Sequence, residues 1–441
     1  MARSIVFREI SYRPNGYFGL LGILVAVALA GLVAAGYMGQ AGHHVTGMSN
    51  QVVWGVPHVF SVFLILAAAG ALGVASIANV FGHSVYKPMA RLSAILAMAL
   101  LLGGLSVLVL DLGRPGRLPE VLPSLNFSSV FAVNLFVYTG FLLATLASLW
   151  VMIERQMNRY TRPVGLIALL MSVWLATDVG SVFGVVVARP AYDTAIMPPL
   201  FVVTSFAVGL ATFILILVPA LTWSGRPLGD YVIGRLGRTL GIAMAVVLYF
   251  VAMQHIIGHY SVERQGVENF ILSDGGVYTL FFWVVQVALG SLVPIVLLFN
   301  SSPDGRRVRV MSAATLVVLG GLAQIYVIII GGQAFPLPLF PGMETSSSFF
   351  DGQVASYVPS LSELALGAGG LSFTLILVAL AVKVLPALPT TMADAVVDPH
   401  YQPPAEVEEE EPEAAEEAEP ETKEAEPEAV PDEEAEDEEE A

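Results

Sequence analysis

The chain has 441 residues, of which 56% are hydrophobic and only 13% charged, with a mean hydropathy of +0.73. A soluble globular chain carries about twice that charged fraction, so composition excludes an ordinary water-soluble domain and points to repeated passage through a bilayer. There are no cysteines, which removes disulfides, thiolate-held iron–sulfur clusters and Cys-based zinc sites from this chain.

The formal charge of −17 belongs to one end of the sequence. From Glu406 onward, 21 acidic residues face a single basic one, Lys423, so this stretch carries −20 and the rest of the chain +3. An acidic, Pro/Ala-rich run without aromatic residues cannot build a core. It is read as a disordered tail, with residues 391–441 set apart from a membrane domain over 1–390.

In chain order, ten segments have the length and polarity of membrane helices: about 17–36, 56–82, 88–111, 129–153, 162–187, 198–223, 239–260, 277–299, 310–332 and 363–386. The fold expected is all-α, a polytopic bundle of ten transmembrane helices. The first segment lacks a cleavage site after a short apolar stretch and reads as a retained helix. Glycines such as Gly70, Gly73, Gly103 and Gly104 predict close helix crossings, since packing replaces the hydrophobic force in lipid.

Topology follows from the basic residues of the short connections. Arg3, Arg8 and Arg13, Lys87 and Arg91, Arg155, Arg159 and Arg162, Arg226, Arg235 and Arg238, and Arg306, Arg307 and Arg309 all fall on one side. The opposite connections hold only Arg114, Arg117, Arg189 and Arg264. Both termini, and with them the acidic tail, are therefore expected in the cytoplasm of a cell with an inner membrane.

With that orientation, ionisable and polar side chains converge on the outer half of the bundle. His58 opens the second span, Asp111 closes the third, and Arg114 follows it. Asn134 and Tyr138 lie in the fourth span, Asp178 past the middle of the fifth, and Gln254, His255 and His259 at the end of the seventh. Ionisable groups inside spans are costly and usually face a cavity or the bundle interior. Oxidising a quinol requires an apolar pocket, a hydrogen-bond partner at each ring oxygen and a proton exit, tasks that histidine and carboxylate perform. His58, Asp111 and Asp178 are the candidate catalytic groups. His58, Asp111, Arg114, Tyr138 and His255 are the candidate quinone contacts. The plainer alternatives are an interfacial histidine at His58, an interhelical hydrogen bond or helix cap at Asp178, and a helix-end anchor at Arg114. Seven histidines, three of them in a loop or near the tail, give weak support to a single haem and less to two; no metal motif or nucleotide-binding glycine loop is present.

Three stretches carry a family resemblance: GMSNQVVWGVPHVFSVFLILAAAGALGVASIANVFG (Gly47–Gly82), YKPMARLSAILAMALLLGGLSVLVLDLGRPGRL (Tyr86–Leu118) and NFSSVFAVNLFVYTGF (Asn126–Phe141). The sequence resembles the polysulfide reductase NrfD-type membrane subunits, in particular the ten-helix branch that includes the HybB and DsrP subunits. The resemblance implies a subunit that lacks haem and binds menaquinone or ubiquinone near the periplasmic face. It also implies electron exchange with a separate periplasmic iron–sulfur protein of the four-cluster type, and in the DsrP-like branch a multihaem cytochrome c as a further partner. Two other functions compete. A proton or solute transporter predicts coordinating groups at mid-depth on broken, repeat-related helices, and a non-catalytic anchor predicts that His58 and Asp111 are dispensable.

Overall fold

The structure, a computed structural model, describes residues 6–10, 14–300, 302, 304–337 and 352–401. Among these residues, ten helices are long and apolar enough to cross a membrane. They are α1 (Pro14–Ala41), α2 (Val56–Asn79), α3 (Ala90–Leu110), α4 (Val130–Ile153), α5 (Thr161–Gly184), α6 (Met197–Trp223), α7 (Asp230–Tyr260), α8 (Val277–Phe299), α9 (Arg306–Ala334) and α10 (Leu361–Val384). Each apolar run becomes a helix because the bilayer offers no partner to the backbone, and a helix satisfies every internal N–H and C=O within the segment.

Helix starts are written locally. Pro57 sits in the first turn of α2, where its missing N–H costs nothing. Ser360 and Glu363 form a reciprocal capping box on α10. Several spans exceed their expected limits, among them two with basic ends: α7 begins at Asp230 rather than near 239, and α9 runs over Arg306–Ala334 rather than 310–332. Their added turns contain Arg235, Arg238, Arg306, Arg307 and Arg309, so hydropathy delimits the lipid-immersed part while helical hydrogen bonding continues past it.

The centre of the bundle is α2, whose most apolar stretch is 83% buried, against 17% for α1. Helix α2 packs against α3, α5, α6 and α10, whereas α1 rests chiefly on α10. The expected glycine crossings are present. Gly70 meets the backbone of Ser205 on α6, Gly103 meets Thr374 on α10, and Gly104 abuts Ile65 of α2. Further along, Gly290 of α8 packs directly on Gly320 of α9, and a Cβ on Gly31 of α1 would lie 2.9 Å from the Gly369 Cα of α10.

Two spans are not uniformly α-helical. Helix α8 is π-helical over Phe281–Leu292, and α9 over Val327–Gly331. A π-turn widens the helix and is rare outside functional segments.

Alternation of ten spans puts both described chain ends at one end of the bundle. There β1 (Phe7–Arg8) pairs antiparallel with β2 (Leu388–Pro389). The Arg226 guanidinium donates to the carbonyls of Arg8, Glu9, Leu388 and Pro389. Packing does not stop at 390, where the tail was expected to begin. Met392 is fully buried and exchanges backbone hydrogen bonds with Pro227 and Gly229, and Asp394 accepts from the N–H groups of Asp230 and Tyr231 at the start of α7. Residues 391–401 therefore pack with the bundle, because the N-terminus of α7 takes its capping carboxylate from there. The acidic stretch expected to be disordered, 402–441, lies outside the described residues.

Candidate functional site

At the opposite end of the bundle, the segment before α2 is held from three sides. The Gln333 side chain accepts from the N–H groups of Val53 and Trp54 (2.9 and 3.0 Å) and donates to the Trp54 carbonyl (3.0 Å). Arg189 donates to the carbonyls of Gln51 (2.6 Å) and Gln333 (3.0 Å), joining the α1–α2 and α5–α6 connections to the last turn of α9. Tyr192 donates to the Ile329 carbonyl (2.8 Å); burial pushes its phenol well above the ordinary range, so the hydroxyl remains a donor. On this rigid floor Trp54 stacks against Tyr192 and meets Phe183 edge-on.

His58, in the first turn of α2, stacks on Trp54 with ring centroids 5.2 Å apart and planes 16° from parallel. Neither imidazole nitrogen has a hydrogen-bond partner among the described residues, so both are available to a ligand. The start of α2 is closed by Tyr357, whose hydroxyl accepts from Val56 N (2.8 Å) and donates to Glu363 Oε1 (2.7 Å). Burial and the Glu363 carboxylate both raise the Tyr357 phenol above its usual range, which keeps that proton in place. Glu363 is fully buried, and its Oε2 accepts from Gly47 N (2.9 Å) and Ser360 N (2.7 Å). Gly55 is required beside it, because a Cβ there would strike Glu363 Oε1.

Asp111 caps α3 just beyond Leu110. Its Oδ1 is buried with no hydrogen-bond partner among the described residues, and His43 Nε2 lies 3.1 Å from its backbone carbonyl. Burial raises the carboxyl from 3.8 to about 6; the charge of His43 lowers it and that of Glu363 raises it. The basic side chain that bears on Asp111 is thus His43 rather than Arg114, which is solvent-exposed and makes no ion pair among the described residues.

Asp178 is 5% exposed on α5 and takes its partner from α4. With its amide nitrogen turned to the carboxylate, Asn134 donates to Oδ2 (2.5 Å) and Oδ1 (3.0 Å) and to the Val130 carbonyl (2.9 Å). The other amide atom then lies against the Tyr138 hydroxyl at 3.3 Å. Asp178, Asn134 and Tyr138 form one interhelical chain.

His255 belongs to another neighbourhood. Its Nδ1 is 2.6 Å from Glu268 Oε2, its ring meets Phe282 edge-on at 4.6 Å, and it lines a pocket with Gln254, Gln286 and Gln324 between α6, α7, α8 and α9. No hydrogen bond or ring contact among the described residues joins it to His58. The six sequence candidates therefore divide: His58 lies in the first turn of α2 and Asp111 at the end of α3, each near the Glu363 hub but not bonded to the other, Asp178 and Tyr138 are joined through Asn134 on α4–α5, His255 lies apart, and Arg114 stands outside. Sequence reading missed Glu268, Glu363, Tyr357, Gln333 and Arg189. Only the Ser360-x-x-Glu363 capping pattern was visible, and it marks a helix start without revealing burial.

An uncommitted imidazole stacked on an indole, with an orphaned carboxylate oxygen at the same end of the bundle, offers hydrogen-bonding groups of the kind a carbonyl-bearing ring would use. Among the described residues no group of three His, Asp or Glu side chains is arranged to hold a metal ion.

Comparison with known proteins agrees with this architecture. The family model described as polysulphide reductase, NrfD, matches residues 44–337, which encompass α2 to α9. The Hdr-like menaquinol oxidoreductase integral membrane subunit of Archaeoglobus fulgidus is 26% identical over 90% of this chain and 100% of its own length. The C component of the polysulfide reductase of Wolinella succinogenes is 24% identical over 65% of this chain and 96% of its own length. The menaquinone reductase integral membrane subunit of Nitratidesulfovibrio vulgaris is 24% identical over 81% and 89%, respectively. By its match over two thirds of the sequence and its ten-helix architecture, the chain belongs to the NrfD family of polytopic membrane proteins.

Proposed function

We propose that this chain is the quinone-reactive membrane subunit of a respiratory or sulfur-metabolism redox complex. It exchanges electrons between a menaquinone or ubiquinone pool and an iron–sulfur partner docked at the His58 end of the bundle, which the positive-inside bias assigns to the periplasm. The observation that carries the reading is the His58 imidazole, stacked on Trp54 with both nitrogens uncommitted, at the same end as the orphaned Asp111 oxygen. Two relatives whose names include menaquinol or menaquinone support the choice of ligand class.

The quinone supplies the two-electron chemistry when bound. His58 would hydrogen-bond a ring oxygen, its imidazole held in place by stacking on Trp54. Asp111 receives or returns a proton, its burial having brought its carboxyl close to neutral pH. The Tyr357–Glu363 pair fixes the start of α2 and so the direction of His58. Asp178, held by Asn134, belongs to the proton path leading from this end. The clustering of these groups toward one end of the bundle favours this reading over a transporter built around a mid-depth site.

The test is quinol-driven reduction of the iron–sulfur partner by the purified complex. His58→Ala should lower turnover by about 100-fold, the usual contribution of a positioned acid–base group, while leaving assembly intact. Unchanged turnover would reduce the subunit to an anchor.

A further inference from the structure

The His255 pocket is lined by hydrogen-bonding groups that the described residues leave unused. Gln286 is 6% exposed, has no side-chain partner among the described residues, and lines both of two adjoining cavities. Gln324, 3% exposed, lines the same two cavities and commits one N–H to Thr204 Oγ1 (3.3 Å), leaving its carbonyl oxygen uncommitted. His255 spends Nδ1 on Glu268, and its Nε2 has no hydrogen-bond partner among the described residues.

An amide left unpaired in a protein interior is destabilising, and the penalty is larger in hydrocarbon. An apolar occupant would leave that penalty standing. A quinone tail has no exit inward, because Gly290 and Gly320 close the α8–α9 crossing at the inner cavity. The walls are made by the π-helical turns of α8 and α9, which contribute Phe282, Gln286, Val327 and Ile328. Both widened turns thus face the same polar space.

We propose that the α6–α9 half of the bundle binds ordered water, about one molecule in each of the two cavities, with His255 lining the first and Gln286 and Gln324 lining both. Water is the ligand class that fits, being small, both donor and acceptor, and able to make two to four hydrogen bonds. It lies against the His255 imidazole in one cavity and against Gln324 and Thr204 in the other, a hydrated contact independent of the His58 site.

Two wall residues report on it directly. Met197 and Phe282 are 1% and 3% exposed, so bulk solvent does not reach them, and both are oxidised by hydroxyl radicals formed on adjacent bound water. X-ray radiolytic footprinting of the intact protein in lipid nanodiscs should modify Met197 and Phe282 about fivefold faster than Met89 and Phe141, buried residues that line neither cavity. Gln286→Leu, which keeps the bulk and removes the amide, should abolish that excess. Rates at Met197 and Phe282 equal to those of Met89 and Phe141 would overturn the proposal, as would an undiminished excess in folded Gln286→Leu. If Gln286→Leu does not fold, the comparison within the wild-type protein decides alone.

Discussion

A carboxylate within a bilayer needs a donor, and Asp178 finds one on the neighbouring helix. Replacing Asn134 by Leu removes the amide and leaves the acid in apolar surroundings. This should destabilise the protein by about 2–3 kcal/mol, read as a lowered thermal midpoint in detergent. Asp111 presents the converse case, an acid with an oxygen the protein does not satisfy. The fold holds it protonated up to about pH 6, whereas the unfolded chain ionises it near 3.8. Its neutral form is the one folding favours, so this contribution is complete below the unfolded value and is lost as pH rises to about 6. Asp111→Asn should therefore melt above wild type at about pH 8 and near it at about pH 4. In the proposed reaction the ionised form accepts the proton, so activity should climb through about pH 6 in the wild type and lose that limb in Asp111→Asn.

At the scale of elements, the ten spans are legible in the sequence because length and hydropathy are properties of each segment alone. The partners of the polar groups are not. Glu268 lies 13 residues beyond His255 in a connection, where an acid is unremarkable until α7 and that connection fold together. Glu363 stands in a capping pattern, and only the arrival of Gly47 and Tyr357 turns it into a buried hub. Asp178 was visible as an anomaly in an apolar helix, whereas its pairing with Asn134 depends on α4 and α5 being neighbours. Two element-level predictions follow this logic. Gly258 faces Glu268 so closely that an added Cβ would strike its carboxylate. Gly258→Ala should break the His255–Glu268 bond and cost about 1–3 kcal/mol of stability through overpacking, measurable by thermal melting. Arg189→Ala removes two charge-assisted bonds that tie two connections to the end of α9, worth about 1.5–3 kcal/mol each, and should increase proteolysis of the His58 end before it affects the opposite end.

For the whole molecule, the distribution of Arg and Lys sets an expectation about sidedness. A cysteine at position 402 in this otherwise cysteine-free chain should react with an impermeant thiol reagent only from the cytoplasmic face of sealed vesicles, and one at Arg117 only from the periplasmic face. The reverse pattern would invert the proposed orientation of the His58 cluster and its partner.

Helix α1 carries a consequence in time. It contacts the rest of the bundle chiefly through α10, with Gly31 against Gly369 and the Ser372 hydroxyl donating to Leu24 O. Both helices lie outside the stretch matched by the family model, flanking it as a pair. The ribosome delivers α1 first and its dock last, a delay of roughly half a minute at bacterial elongation rates. Throughout that interval α1 is an inserted helix awaiting its neighbour, and the His58 end still lacks Glu363. Site completion thus waits for α10: a nascent chain arrested before α10 should already hold α2 to α9 in the membrane, yet show no cross-link from α1 and no Tyr357–Glu363 contact at the start of α2.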